Sequence, residues 1–118
     1  MPRKRILSFK YAGEGIWGAL KTEPNLKFHF FAAFLVYVLG IYFKISRIDW
    51  MILIIVIGVV LSLELTNTAI ETVVNSFTED IHPAAKKAKD VAAGAVLISA
   101  ITAIAIGILV FWPYVTNL

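Results

Sequence analysis

Three long stretches of the chain are apolar, and short polar segments separate them. Residues 26–43 are almost continuously hydrophobic, with Lys27 and His29 near the start. Residues 50–63 form an uncharged run of fourteen that Glu64 interrupts. Residues 91–115 carry no charge over twenty-five positions. A helix needs about 20 mostly apolar residues to cross a bilayer, so the first and third stretches qualify directly. The second qualifies if its helix runs through Glu64 towards Phe77, because Leu65, Thr66, Ala69, Ile70, Val73 and Val74 keep one side apolar. The pattern predicts three transmembrane helices, over residues 26–44, 49–77 and 85–113. A fourth element precedes them. Ile6, Phe9, Gly13, Ile16, Trp17 and Leu20 fall within an arc of about 100° at 100° per residue, with Ser8, Tyr11 and Gly15 opposite. This predicts an amphipathic helix over residues 4–21 lying in the membrane interface; a frayed basic tail is the alternative.

Composition agrees with an all-α integral membrane protein. The chain is 59% hydrophobic and 16% charged, against roughly 45–50% and 25% in soluble domains. A soluble domain of this size could not bury so much apolar surface. With 118 residues the chain has room for one membrane-embedded domain over 1–118 and excludes a multidomain enzyme. The absence of cysteine excludes disulfides, thiolate metal sites and cysteine nucleophiles. Basic residues set the expected orientation. Nine of them (Arg3, Lys4, Arg5, Lys10, Lys21, Lys27, Lys86, Lys87 and Lys89) lie on the side of the N-terminus, and only Lys44 and Arg47 lie on the other. Seven of the eight acids share that first side. The N-terminus and the working face are therefore expected in the cytoplasm. A cleavable signal peptide is not expected, because Lys10 and Glu14 interrupt the residues before the first apolar run.

The chemistry concentrates in residues 64–75, which read Glu-Leu-Thr-Asn-Thr-Ala-Ile-Glu-Thr-Val-Val-Asn. On a helix, Glu64, Asn67, Glu71 and Asn75 sit at about 0°, −60°, −20° and +20°. Four polar groups share one narrow face. Burying a carboxylate near hydrocarbon costs several kcal/mol unless it is paired or bound to a cation, so such residues are functional candidates. Interhelical hydrogen bonding by the asparagines, with the glutamates paired to lysines, is the structural alternative. Glu64 and Glu71 are about 10.5 Å apart along the axis, too far to share one metal. Glu64 lies deeper, within reach of a lipid headgroup; Glu71 suits a hard cation. Glu23, before the first span, stands at a similar membrane level, either as a further ligand or as a solvated acid. The loop 78–83 and the lysines after it mix acids, a histidine and bases. Lys86, Lys89 and Asp90 share a helical face there, and anionic lipid explains Lys87. Neither a P-loop nor a dinucleotide or protein-kinase motif occurs. His29 and His82 are too far apart to suggest a zinc pair, and the basic residues do not suggest nucleic acid.

These residues resemble the signature of the small prokaryotic diacylglycerol kinases, roughly E-x-x-N-[ST]-[SA]-[LIV]-E-x-x-V-D. Eleven of its twelve positions match, the exception being Asn75 where the family usually has Asp. The resemblance extends to the stretch Thr22-Glu23-Pro24-Asn25 and to Ala88-Lys89-Asp90. Ala12-Gly13-Glu14-Gly15-Ile16-Trp17, Phe28-His29 and His82-Pro83 look like the Gram-positive branch, whose members act largely as undecaprenol kinases. The resemblance implies a homotrimer and an ATP- and Mg2+-dependent transfer of phosphate to a lipid alcohol, undecaprenol first and diacylglycerol as the alternative. It implies Glu64 as general base with Asn67 orienting the reacting groups, Glu23 and Glu71 on magnesium, and Glu64 and Trp17 on the lipid. Lys4, Tyr11, Glu23, Glu71, Asp80, Ile81, His82, Lys89 and Asp90 would surround ATP, with Asn75 supporting them from behind. At Lys4 the family often has arginine, so a phosphate contact there would lack the bidentate fork. An uncharged Asn75 is expected to weaken metal or ATP affinity without abolishing activity. A proton or ion conduit is the competing use of two membrane carboxylates, and a regulatory membrane subunit is another. A conduit needs polar groups at every depth, and residues 50–61 offer none.

Overall fold

A computed structural model describes residues 5–77 and 82–118. They form four helices: α1 (Arg5–Thr22), α2 (Pro24–Phe43), α3 (Arg47–Phe77) and α4 (Pro83–Thr116). The last three are long and apolar enough to cross a membrane. At 1.5 Å per residue α3 and α4 are about 46 and 51 Å long. Both therefore exceed the roughly 30 Å of bilayer hydrocarbon and project beyond it. The helix ends lie close to the expected ones. α4 runs past the expected end at Pro113 to Thr116, because a proline in the last turn forfeits one hydrogen bond where a helix is already fraying.

α3 packs most extensively on α4 and less so on α2, while α1 touches α2 and α3. The buried residues of α3 are Leu53, Val60, Glu64 and Asn67. Their spacings of seven, four and three are those of a single helical stripe facing its neighbours. α4 answers with Ala92, Ser99 and Val110, small residues at two of the three positions, which lets the two backbones approach. The stripe of α3 is apolar over its first half and polar over its second. At most 17% of any span is buried within the chain, so lipid or further protein must cover the rest.

The turn from α2 to α3 is the most tightly specified part of the molecule. Lys44 adopts the left-handed conformation (φ 52°, ψ 52°) that ends α2. Its N–H reaches the carbonyl of Ile41, and the next N–H, of Ile45, reaches that of Gly40, each at 3.2 Å. This is the Schellman arrangement with lysine where glycine is usual. A Cβ at Gly40 would come within 2.5 Å of the Trp50 ring, so only glycine lets that indole lie on α2. Ile45, Leu53 and Val110 form a small core there with Val36, Phe43, Trp50, Phe111 and Tyr114 around it. Ser46 then caps α3 by accepting the Asp49 N–H at 3.1 Å. In a capping box the residue at Asp49 would reach back to the Ser46 N–H. Here the Tyr114 hydroxyl stands between them, accepting from Ser46 N–H at 3.0 Å and donating to Asp49 Oδ2 at 2.6 Å. Tyr114→Phe keeps the ring and removes both bonds. It should lower stability by about 1–3 kcal/mol, read as an earlier midpoint in a denaturing-detergent titration.

Candidate active site

The opposite end of the bundle holds the polar half of the α3 stripe. Counting from Arg47 at 1.5 Å per residue, Glu64 and Asn67 lie about 25 and 30 Å along the axis, and Glu71 about 36 Å. With Arg47 at one edge of the hydrocarbon, Glu64 and Asn67 come at the far edge and Glu71 beyond it. On that placement α3 would carry one acid at the lipid boundary and a second in the headgroup layer.

Glu64 is 3% exposed. His29 of α2 faces it, with Nε2 3.5 Å from Glu64 Oε2. Asn67 is also buried, and its amide nitrogen donates to Glu71 Oε1 at 3.3 Å. Its carbonyl oxygen, Oδ1, is buried without a donor. An unpaired buried acceptor is costly, and a polar ligand entering beside α3 would relieve it. Glu23 is the N-cap residue of α2, half-buried, yet its carboxylate does not cap the helix. It remains directed to other work at the positive end of the α2 dipole.

α4 starts at the same end. His82 caps it, Nδ1 accepting the Ala84 N–H at 3.2 Å, and Pro83 occupies the first turn, where its missing N–H costs nothing. One ring nitrogen of His82 is therefore spent on the fold. Lys89 Nζ donates to Asn75 Oδ1 at 3.0 Å, tying α4 to α3. Lys86 and Asp90 pair at 2.5 Å one turn apart, so the face shared by Lys86, Lys89 and Asp90 is already internally bonded. On α1, Tyr11 and Trp17 are exposed, and Lys21 Nζ lies 5.8 Å above the Trp17 ring. Lys4, Asp80 and Ile81 fall outside the described residues. Among the described residues no three metal-ligating side chains gather.

The structure therefore unites Glu64, Asn67 and Glu71 on one face and joins Asn75 to Lys89. His29 was assigned no role by sequence reasoning, although its place near the start of the first span hints that it reaches the depth of Glu64.

Residues 10–111 match the prokaryotic diacylglycerol kinase family. The chain belongs to that family. It is 49% identical over 106 residues to the undecaprenol kinase of Bacillus subtilis, covering 90% of this chain and 86% of that one. It is 38% identical over 103 residues to a diacylglycerol kinase of Synechocystis, covering 86% of this chain and 59% of that longer protein. With a diacylglycerol kinase of Haemophilus influenzae it shares 31% identity over 94 residues, 80% of each chain. The protein is thus a multi-pass membrane lipid kinase, and its reaction is phosphoryl transfer from ATP to a lipid.

Asn67 is buried with its carbonyl oxygen unpaired, which makes it a place to separate stability from activity. Asn67→Leu, of similar volume, should leave the unfolding midpoint unchanged or raise it, because it removes an unsatisfied acceptor. The same preparation should lose kinase activity. A marked loss of stability would show instead that Asn67 is needed for packing.

Proposed function

We propose that this protein phosphorylates undecaprenol to undecaprenyl phosphate at the cytoplasmic face of a bacterial cell membrane. The observation that carries the reading is the acid pair of α3, Glu64 buried and Glu71 two turns nearer the helix end, in a chain similar along most of its length to an undecaprenol kinase. A polyprenol presents its hydroxyl at the hydrocarbon edge, and ATP comes from water. A base at the boundary and a phosphate-handling group just outside it meet both requirements.

In this reading Glu64 accepts the proton of the lipid hydroxyl as its oxygen attacks the γ-phosphorus of ATP. A new O–P bond forms while the bond to the ADP oxygen breaks. Phosphoryl transfer asks the protein chiefly for positioning and charge neutralisation. Asn67 orients the reacting groups and holds Glu71. Magnesium needs only one or two protein carboxylates beside phosphate oxygens and water, and the oxygen donors Glu23 and Glu71 fit that demand. Bound with ATP, magnesium would neutralise phosphate charge. Lys89, positioned by Asn75, meets the nucleotide phosphates together with Lys4. Asp90, His82, Tyr11, Asp80 and Ile81 surround the rest of ATP, and Trp17 meets the lipid. An amide at Asn75 holds Lys89 by a hydrogen bond without the charge of an aspartate, and so weakens metal or ATP affinity without abolishing activity.

Three copies of the chain complete the enzyme. What supports a homotrimer is how little of each span one copy covers. The amphipathic sequence of α1 suits a place in the cytoplasmic interface, and the nine-to-two split of basic residues sets that interface inside the cell.

The test is phosphate transfer from labelled ATP with magnesium to undecaprenol and to diacylglycerol in the same mixed micelles. Preference for undecaprenol supports the proposal, and preference for diacylglycerol overturns the substrate assignment. Glu64→Gln should reduce turnover by about 10²-fold or more while ATP still binds; a variant keeping over about a tenth of the rate would remove Glu64 as base. Glu71→Gln should raise the magnesium concentration needed for half-maximal rate, and unchanged metal dependence would take Glu71 out of the metal shell.

A further inference from the structure

We propose that His29 is a positioning residue that aims the Glu64 carboxylate. The inference rests on the reading of Glu64 as the base and adds the group that makes it competent. Glu64 is almost fully buried, and a carboxylate in such surroundings needs a donor or an opposite charge. Among the described residues its partner is His29, at 3.5 Å. Neighbouring donors are committed elsewhere. The Asn67 amide nitrogen donates to Glu71. The Ser99 hydroxyl, on the α4 face towards α3, donates to the Val96 carbonyl of its own helix at 2.8 Å.

A carboxylate only accepts, so the nitrogen facing it, Nε2, carries a hydrogen. Catalytic hydrogen bonds are often long without substrate and shorten in the reacting complex. Shortened to a hydrogen bond on Oε2, the contact would leave Oε1 as the oxygen that takes the lipid proton. The ring itself is located from two sides. Phe28 meets it edge-on, with centroids 5.8 Å apart. His29 also borders a cavity of about 90 Å³ with Ala32, Val36, Ile57, Val60 and Ala103. The imidazole thus borders both a hydrocarbon-lined space and the carboxylate. Because His29 belongs to α2 and Glu64 to α3, the aim of the base depends on the register between those helices.

The test compares His29→Gln and His29→Asn in the full-length protein in mixed micelles with undecaprenol. The glutamine amide nitrogen reaches the position of Nε2, whereas that of asparagine reaches only the position of Nδ1. Glutamine should keep kcat within about threefold, and asparagine should lower it by about tenfold or more. KM for magnesium-ATP should stay within about twofold of wild type in both. Equal kcat for the two variants, or an effect confined to KM for ATP, overturns the proposal. Glu64→Gln is assayed alongside. If it remains active, the base reading itself fails; if it is inactive while the two His29 variants behave alike, only the role of His29 falls. A second measurement uses the wild-type protein, whose only histidines are His29 and His82. Nitrogen-15 NMR should find the His29 ring protonated at Nε2. A ring protonated at Nδ1 alone in the wild type overturns the proposal whatever the variants do.

Discussion

A carboxylate at the edge of the hydrocarbon governs how this chain is built. Glu64 continues the stripe by which α3 packs on its neighbours, so the protein places charge where a membrane helix would normally place leucine. Burial without a partner would cost several kcal/mol, and the surrounding design reads as the answer. His29 approaches from α2, α4 keeps its own polar group bonded within its helix, and the next acid stands two turns away, past the hydrocarbon. The length of α3 follows from the same constraint. A helix ending seven residues earlier would hold Glu64 but not Glu71; the last turns of α3 carry the second acid.

The two ends of the bundle solve different problems. At the α2–α3 turn nearly every polar group is bonded, an indole fits over a glycine, and aromatic rings fill the corner. At the other end an asparagine oxygen is left buried without a donor and the N-cap acid of α2 declines its usual bond. The bonded corner and the underbonded groups thus lie at opposite ends of the bundle. The second end holds groups that a ligand would satisfy, as in sites where stability is given up for function.

Much of this was legible in the sequence because it depends on spacing within one helix. The three spans follow from hydrophobic run length, and the common face of Glu64, Asn67 and Glu71 follows from the 3.6-residue repeat. The Asn67–Glu71 bond is a one-turn contact of the kind that repeat specifies. What the sequence hides is pairing between helices. Nothing in the local pattern says that Lys89 meets Asn75, or that His29 meets Glu64, since both contacts depend on the relative rotation and height of two helices. Spacing put Lys86 and Asp90 on one face, but a shared face does not reveal that the two bond to each other. Residues read as ATP contacts, His82 above all, turn out to serve the backbone as well.

Tyr114 makes its bond to Asp49 across 65 positions of sequence. A ribosome reaches the α2–α3 turn long before it reaches the residue that closes it. During synthesis the first hairpin must therefore stand in the bilayer with the Ser46 amide and the Asp49 carboxylate still served by water, near the membrane surface. Only when α4 has crossed and brought its tyrosine alongside can that water leave. The corner is thus closed last, because a chain whose final helix is not in place lacks the hydroxyl that joins Ser46 to Asp49.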